Sequence, residues 1–74
     1  MKPQSDTMSV GQIIYESRKR VNITQQELAQ RVGTSKSYIS RVENGSVEPS
    51  AGMFLRILSA LGLRFEVSQP LAFG

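Results

Sequence analysis

Seventy-four residues suffice for one small domain and its core, and are too few for two. With no histidine, no cysteine and one aspartate, Asp6, the chain lacks the acid–base pairs, nucleophiles and ligand clusters of an enzyme or metal centre, so catalysis, cofactors and metals are not expected. Nine Lys and Arg against six Asp and Glu leave a net charge of +3. No apolar run approaches membrane-spanning length, and the N-terminus lacks the basic-then-apolar form of a signal peptide, so a cytoplasmic protein with no membrane partner is expected. A core this small, without disulfides or metal, usually finds its remaining support in oligomerisation.

Residues 1–8, MKPQSDTM, are polar and aperiodic and predict a frayed arm whose only base is Lys2. A first helix is predicted from Ser9, with Gln12 completing a capping box. Val10, Ile13, Ile14, Ser17 and Val21 mark its buried side, and Asn22, tolerant of the left-handed region, ends it. The next stretch, ITQQELAQRVGTSKSYISRVEN over residues 23–44, reads as two short helices joined by a glycine turn. Thr24 and Glu27 form a T-x-x-E capping box, Ile23 and Leu28 fall at the positions of a hydrophobic staple, and Leu28, Ala29 and Val32 make the apolar stripe. Gly33 supplies the positive φ that stops this helix, and Ser35 is the N-cap of the next.

At 100° per residue the second helix of the pair gathers Tyr38, Ile39 and Val42 on one side. Lys36, Ser37, Ser40, Arg41 and Asn44 span the other, which has no acid. Such a face suits the DNA major groove, where guanidinium grips guanine and hydroxyls or amides bond base edges and phosphates. Lys36, Ser37, Ser40 and Arg41 are the candidate base contacts. Thr34, Ser35, Asn44 and Tyr38 are placed for the DNA backbone, as is Gln25, in a first helical turn whose amides and dipole favour phosphate. The local charge agrees, with Arg18, Lys19, Arg20, Arg31, Lys36 and Arg41 against the single acid Glu27 between residues 18 and 41.

Asn44-Gly45 is a turn dipeptide, and Ser50 caps a last helix over about Ala51 to Leu61, with Phe54, Ile57, Leu58 and Leu61 facing the core and Gly62 closing it. Ala51-Gly52 is a weak helix opening, so a frayed first turn is expected. LRFEVSQ then alternates Leu63, Phe65 and Val67 against Arg64, Glu66 and Ser68, which predicts a short strand, with an irregular tail or a last helical turn as the alternative. Residues 70–74 read as an apolar tail.

ITQQELAQRVG, TSKSYISRVENG, EPS and LRILSALG together resemble the Cro/lambda-repressor-like (Xre-type) helix-turn-helix domains over about residues 10–63. The resemblance implies an all-α bundle of four or five helices that binds operator DNA as a homodimer, with the second helix of the motif in the major groove. It also implies a structural ion pair between Arg18 and Glu43, and a phosphate-contacting glutamine at Gln25. The chain departs from the family at Ser17, where leucine is common, and at Asn22, where glycine is common. A C-terminal strand looks like the HipB-like antitoxins, whose strands pair across the dimer and which also bind a kinase-like toxin. The resulting expectation is a flexible arm (1–8), a DNA-binding domain (9–62), a dimerisation strand (63–69) placing Leu63, Phe65 and Val67 in the interface, and a tail (70–74). The function expected is that of a repressor on a palindromic operator, and the competing reading is a protein-interaction module that neutralises a partner without DNA.

Overall fold

The computed structural model describes residues 8–63, which form four helices, α1 (Val10–Arg20), α2 (Gln25–Val32), α3 (Lys36–Glu43) and α4 (Ala51–Ala60). Each starts on a hydroxyl that accepts an orphan first-turn amide: Ser9 from Gln12, Thr24 from Glu27, Ser35 from Tyr38 and Ser50 from Met53. The Gln12 and Glu27 side chains return the bond to Ser9 N and Thr24 N at 3.0 and 2.8 Å, completing two capping boxes.

The helix ends follow one rule as well. Gly33 takes φ 78°, a conformation that L side chains disfavour, and the next amide, Thr34 N, then bonds Ala29 O at 2.9 Å across the end of α2. Asn22, at φ 62°, does the same for α1, with Ile23 N bonding Arg18 O at 3.3 Å. Ser46 N to Arg41 O and Leu63 N to Leu58 O, both 2.9 Å, close α3 and α4. Starts and stops are thus set by residues one turn away, and this leaves α2 and α3 separated by only the three residues Gly33, Thr34 and Ser35.

The core gathers Ile14 from α1, Leu28, Ala29 and Val32 from α2, Ile39 and Val42 from α3, and Ile57, Leu58 and Leu61 from α4 and its end. Val10, Ile13, Ile23, Tyr38 and Phe54 pack around it, half-buried. α3 lies chiefly on α2 and next on α1, so the helix-turn-helix is backed by α1 while α4 braces α2. Gly11 is buried where α1 crosses the end of α3, and a Cβ there would stand 2.5 Å from the carbonyl oxygens of both Val42 and Glu43. Only a residue without a side chain lets the two backbones come this near.

Two expectations need correction. Val21 is 43% exposed, because it is the C-cap of α1, where the chain leaves the helix direction. Ala51 and Gly52, expected to be a weak and frayed opening, lie within the regular helix that Ser50 caps. The strand expected over 63–69 lies outside the described residues apart from Leu63, whose N–H is engaged in closing α4. Phe65 and Val67, the arm before Met8 and the tail are also outside them; among the described residues the regular elements are all helical.

Candidate nucleic-acid interface

Because Ile39 and Val42 point into the core and Tyr38 packs against it, the opposite side of α3 faces out. Lys36, Ser37 and Arg41 are exposed and Ser40 is half-buried. These four side chains, the candidate base contacts, line one open groove of about 440 Å³ together with Gln25 from α2. A second depression of about 390 Å³ adjoins it, lined by Arg18, Lys19, Asn22, Ile23, Thr24, Gln25 and Lys36. Gln25 and Lys36 form walls of both, so one basic track crosses from the end of α1, over the start of α2, to the exposed face of α3.

The remaining backbone candidates lie off this groove, and their hydrogen bonds decide what each still offers. Ser35 Oγ accepts from Tyr38 N at 3.0 Å, which leaves its O–H to donate. Asn44 Oδ1 accepts from both the amide and the hydroxyl of Ser46, at 2.9 and 2.6 Å, so its NH₂ group remains available for an acceptor such as phosphate. Thr34 and Tyr38 are half-buried, and Tyr38 packs against the core. The Arg41 Nε contact to Ser37 O is long, 3.5 Å, and holds the side chain only loosely along its own helix.

Behind the groove, Arg18 and Glu43 meet in a bidentate pair: Nε donates to Oε2 at 2.7 Å and Nη2 to Oε1 at 3.0 Å, with the side chains 10% and 6% exposed. Arg18 Nη1 also donates to Ile23 O at 2.9 Å. The bond from the Glu43 carboxylate raises the Arg18 guanidinium above its ordinary pKa, overcoming the opposite effect of burial. Tyr15 lies under two cations, with its ring centroid 5.5 Å from Arg18 Cζ and 5.7 Å from Lys19 Nζ.

The basic excess read between residues 18 and 41 is therefore divided. Arg18 is engaged by Glu43, and Arg31 Nη1 reaches Ala60 O at 3.3 Å, at the negative end of the α4 dipole. Lys19, Lys36 and Arg41 remain along the track.

Two features of the site escaped the sequence reading. Gln25 Nε2 donates to Glu43 Oε1 at 3.0 Å, across 18 residues, and no local spacing signals such a bond. Gly11, by contrast, shares its helix face with Ile14 and Arg18 at i+3 and i+7, so a glycine inside a buried stripe was a legible sign of close approach.

Comparison with known proteins agrees with this geometry. Residues 14–67 match the family model described as helix-turn-helix. A 50-residue alignment is 44% identical to an uncharacterized HTH-type transcriptional regulator of Methanothermobacter thermautotrophicus, covering 68% of this chain and 72% of that protein. The ImmF control region 10 kDa protein of Bacillus phage phi105 is 34% identical over 62 residues, 84% of this chain and 69% of its own length. The immunity repressor protein of the same phage is 35% identical over 57 residues, 77% of this chain and 40% of its own length. With its two capped helices, its three-residue turn and this match over most of its length, the chain belongs to the Xre-type helix-turn-helix family.

Proposed function

We propose that this protein is a transcriptional repressor that reads a palindromic operator as a homodimer, with α3 in the major groove of each half-site. The observation that carries the reading is the groove in which Lys36, Ser37, Ser40 and Arg41 stand together with no acid among its lining residues. Two cations and two hydroxyls on one exposed helix face match the acceptor-rich edges of guanine and the phosphates beside them. Family membership supports DNA binding in transcription regulation, and the phage immunity repressor among the relatives supports repression. Thr34, Ser35, Tyr38, Asn44 and Gln25 act on the DNA backbone.

Leu63, 36% exposed, leaves apolar surface at the end of α4, which supports an interface there continuing into residues 63–69 with Phe65 and Val67. A twofold through that interface spaces the two α3 helices by roughly one DNA turn, about 34 Å. The antitoxin reading, with a kinase-like toxin as partner, rests on the 63–69 segment alone, of which only Leu63 is described.

The test is selection of duplexes from a random-sequence pool by the purified chain. Enrichment of an inverted repeat with half-site centres about 10 bp apart is expected. A pool that shows no enriched sequence after repeated rounds overturns the reading.

A further inference from the structure

We propose that Glu43 is a positioning residue for Gln25: its buried carboxylate orients the Gln25 amide so that one N–H faces outward for a backbone phosphate. The inference rests on the DNA-binding reading above and adds to it the part that holds the phosphate contact in place.

The geometry leaves little freedom. Glu43 Oε1 receives Arg18 Nη2 and Gln25 Nε2, both at 3.0 Å, and Oε2 receives Arg18 Nε at 2.7 Å. An ionised carboxylate only accepts, so the nitrogen of Gln25, and not its oxygen, must face Glu43. One hydrogen of Nε2 is engaged there and the other remains, on a side chain that lines both depressions of the basic track. A glutamine without this anchor samples both amide orientations and must give up that freedom to present its NH₂ group to a phosphate.

Arg18 in turn holds Glu43 by two bonds and fixes Ile23 O by a third, two residues before Gln25. One hydrogen-bonded chain thus runs from α1 through the end of α3 to the first residue of α2, and the pair at its centre is 10% and 6% exposed. The ion pair acts on DNA through Gln25 while touching no DNA itself.

The experiment is a double-mutant cycle on operator affinity. Arg18→Met with Glu43→Leu removes one cation and one anion together, so the net charge stays at +3 and long-range attraction is unchanged. Replacing a buried pair by apolar side chains of similar volume is often neutral for folding. Thermal melts establish that the variant folds. Should it not, Glu43→Asp, which keeps the charge but withdraws the carboxylate by one methylene, takes its place in the same cycle. Dissociation constants are measured by anisotropy on a duplex that the wild-type chain selects from a random pool, with and without Gln25→Ala.

Loss of the anchor is expected to weaken binding about tenfold when Gln25 is present, and less than about twofold when Gln25 is already alanine. Equal weakening in both backgrounds, or none in either, overturns the positioning role. A wild-type chain that selects no duplex overturns the DNA-binding reading, and this inference with it.

Discussion

Arg41 is exposed on the outer face of α3, where its Nε makes a 3.5 Å contact with Ser37 O, and the proposed function assigns its guanidinium to base edges. Arg41→Ala is expected to cost about 1–3 kcal/mol on the selected operator and much less on scrambled duplex. Anisotropy titration of both duplexes measures the difference, and equal losses would assign Arg41 to the backbone. Glu43 shows the opposite economy. Glu43→Ala leaves the Arg18 guanidinium nearly buried beside Ile23 O with no counter-charge, and a loss of about 3–5 kcal/mol is expected in urea unfolding. The pH behaviour follows from the sign of the Arg18 shift. Its folded pKa is raised, so its contribution is complete below the ordinary guanidinium value and is lost only as pH climbs through a still higher one. With no histidine and no cysteine in the chain, operator affinity should stay level from about pH 6 to 8. A steep change in that window would point to a titrating group absent from this account.

At the scale of elements, two glycines in helices give predictions of opposite sign. Alanine is the better helix former by about 1 kcal/mol. At Gly52 an added Cβ meets nothing within 4 Å, so Gly52→Ala should stabilise α4 by about 0.5–1 kcal/mol. At Gly11 the same Cβ meets two carbonyl oxygens at 2.5 Å, and α1 must move off α3. Gly11→Ala is expected to cost about 1–3 kcal/mol net, as overpacking does. Urea midpoints of the two variants should shift in opposite directions, and parallel shifts would mean that α1 does not press on α3 as described. The same contrast explains what could be read from sequence. Ser9, Thr24, Ser35 and Ser50, and the positive φ of Asn22 and Gly33, act within one turn of their own helix, and their spacing displays them. The groove on α3 was legible for the same reason, since its four side chains share one short helix. Val21 was misplaced because periodicity continues on paper past the point where the helix stops. The Gln25–Glu43 bond and the Arg31 contact with Ala60 join residues 18 and 29 apart, and such meetings depend on how helices pack.

For the whole molecule, the proposed pairing with a second copy draws on the exposed apolar Leu63 at the end of α4, and the proposed binding to DNA draws on the net charge of +3. Truncation after Gly62 is expected to give monomers by light scattering and to weaken operator binding far more than binding to random DNA. A truncated chain that stays a tight dimer would place the interface on α4 itself, around Met53, Leu55 and Arg56. The most direct test of the central claim, that this chain reads DNA sequence through α3, is its dissociation constant for the selected duplex and for a scrambled duplex of equal length across a salt series. The selected duplex should bind about 10³-fold tighter or more at moderate salt. If a dimer neutralises about six phosphates, its log K should fall against log salt with a slope near −5. Equal affinity for the two duplexes, or a constant that does not move with salt, would contradict the account.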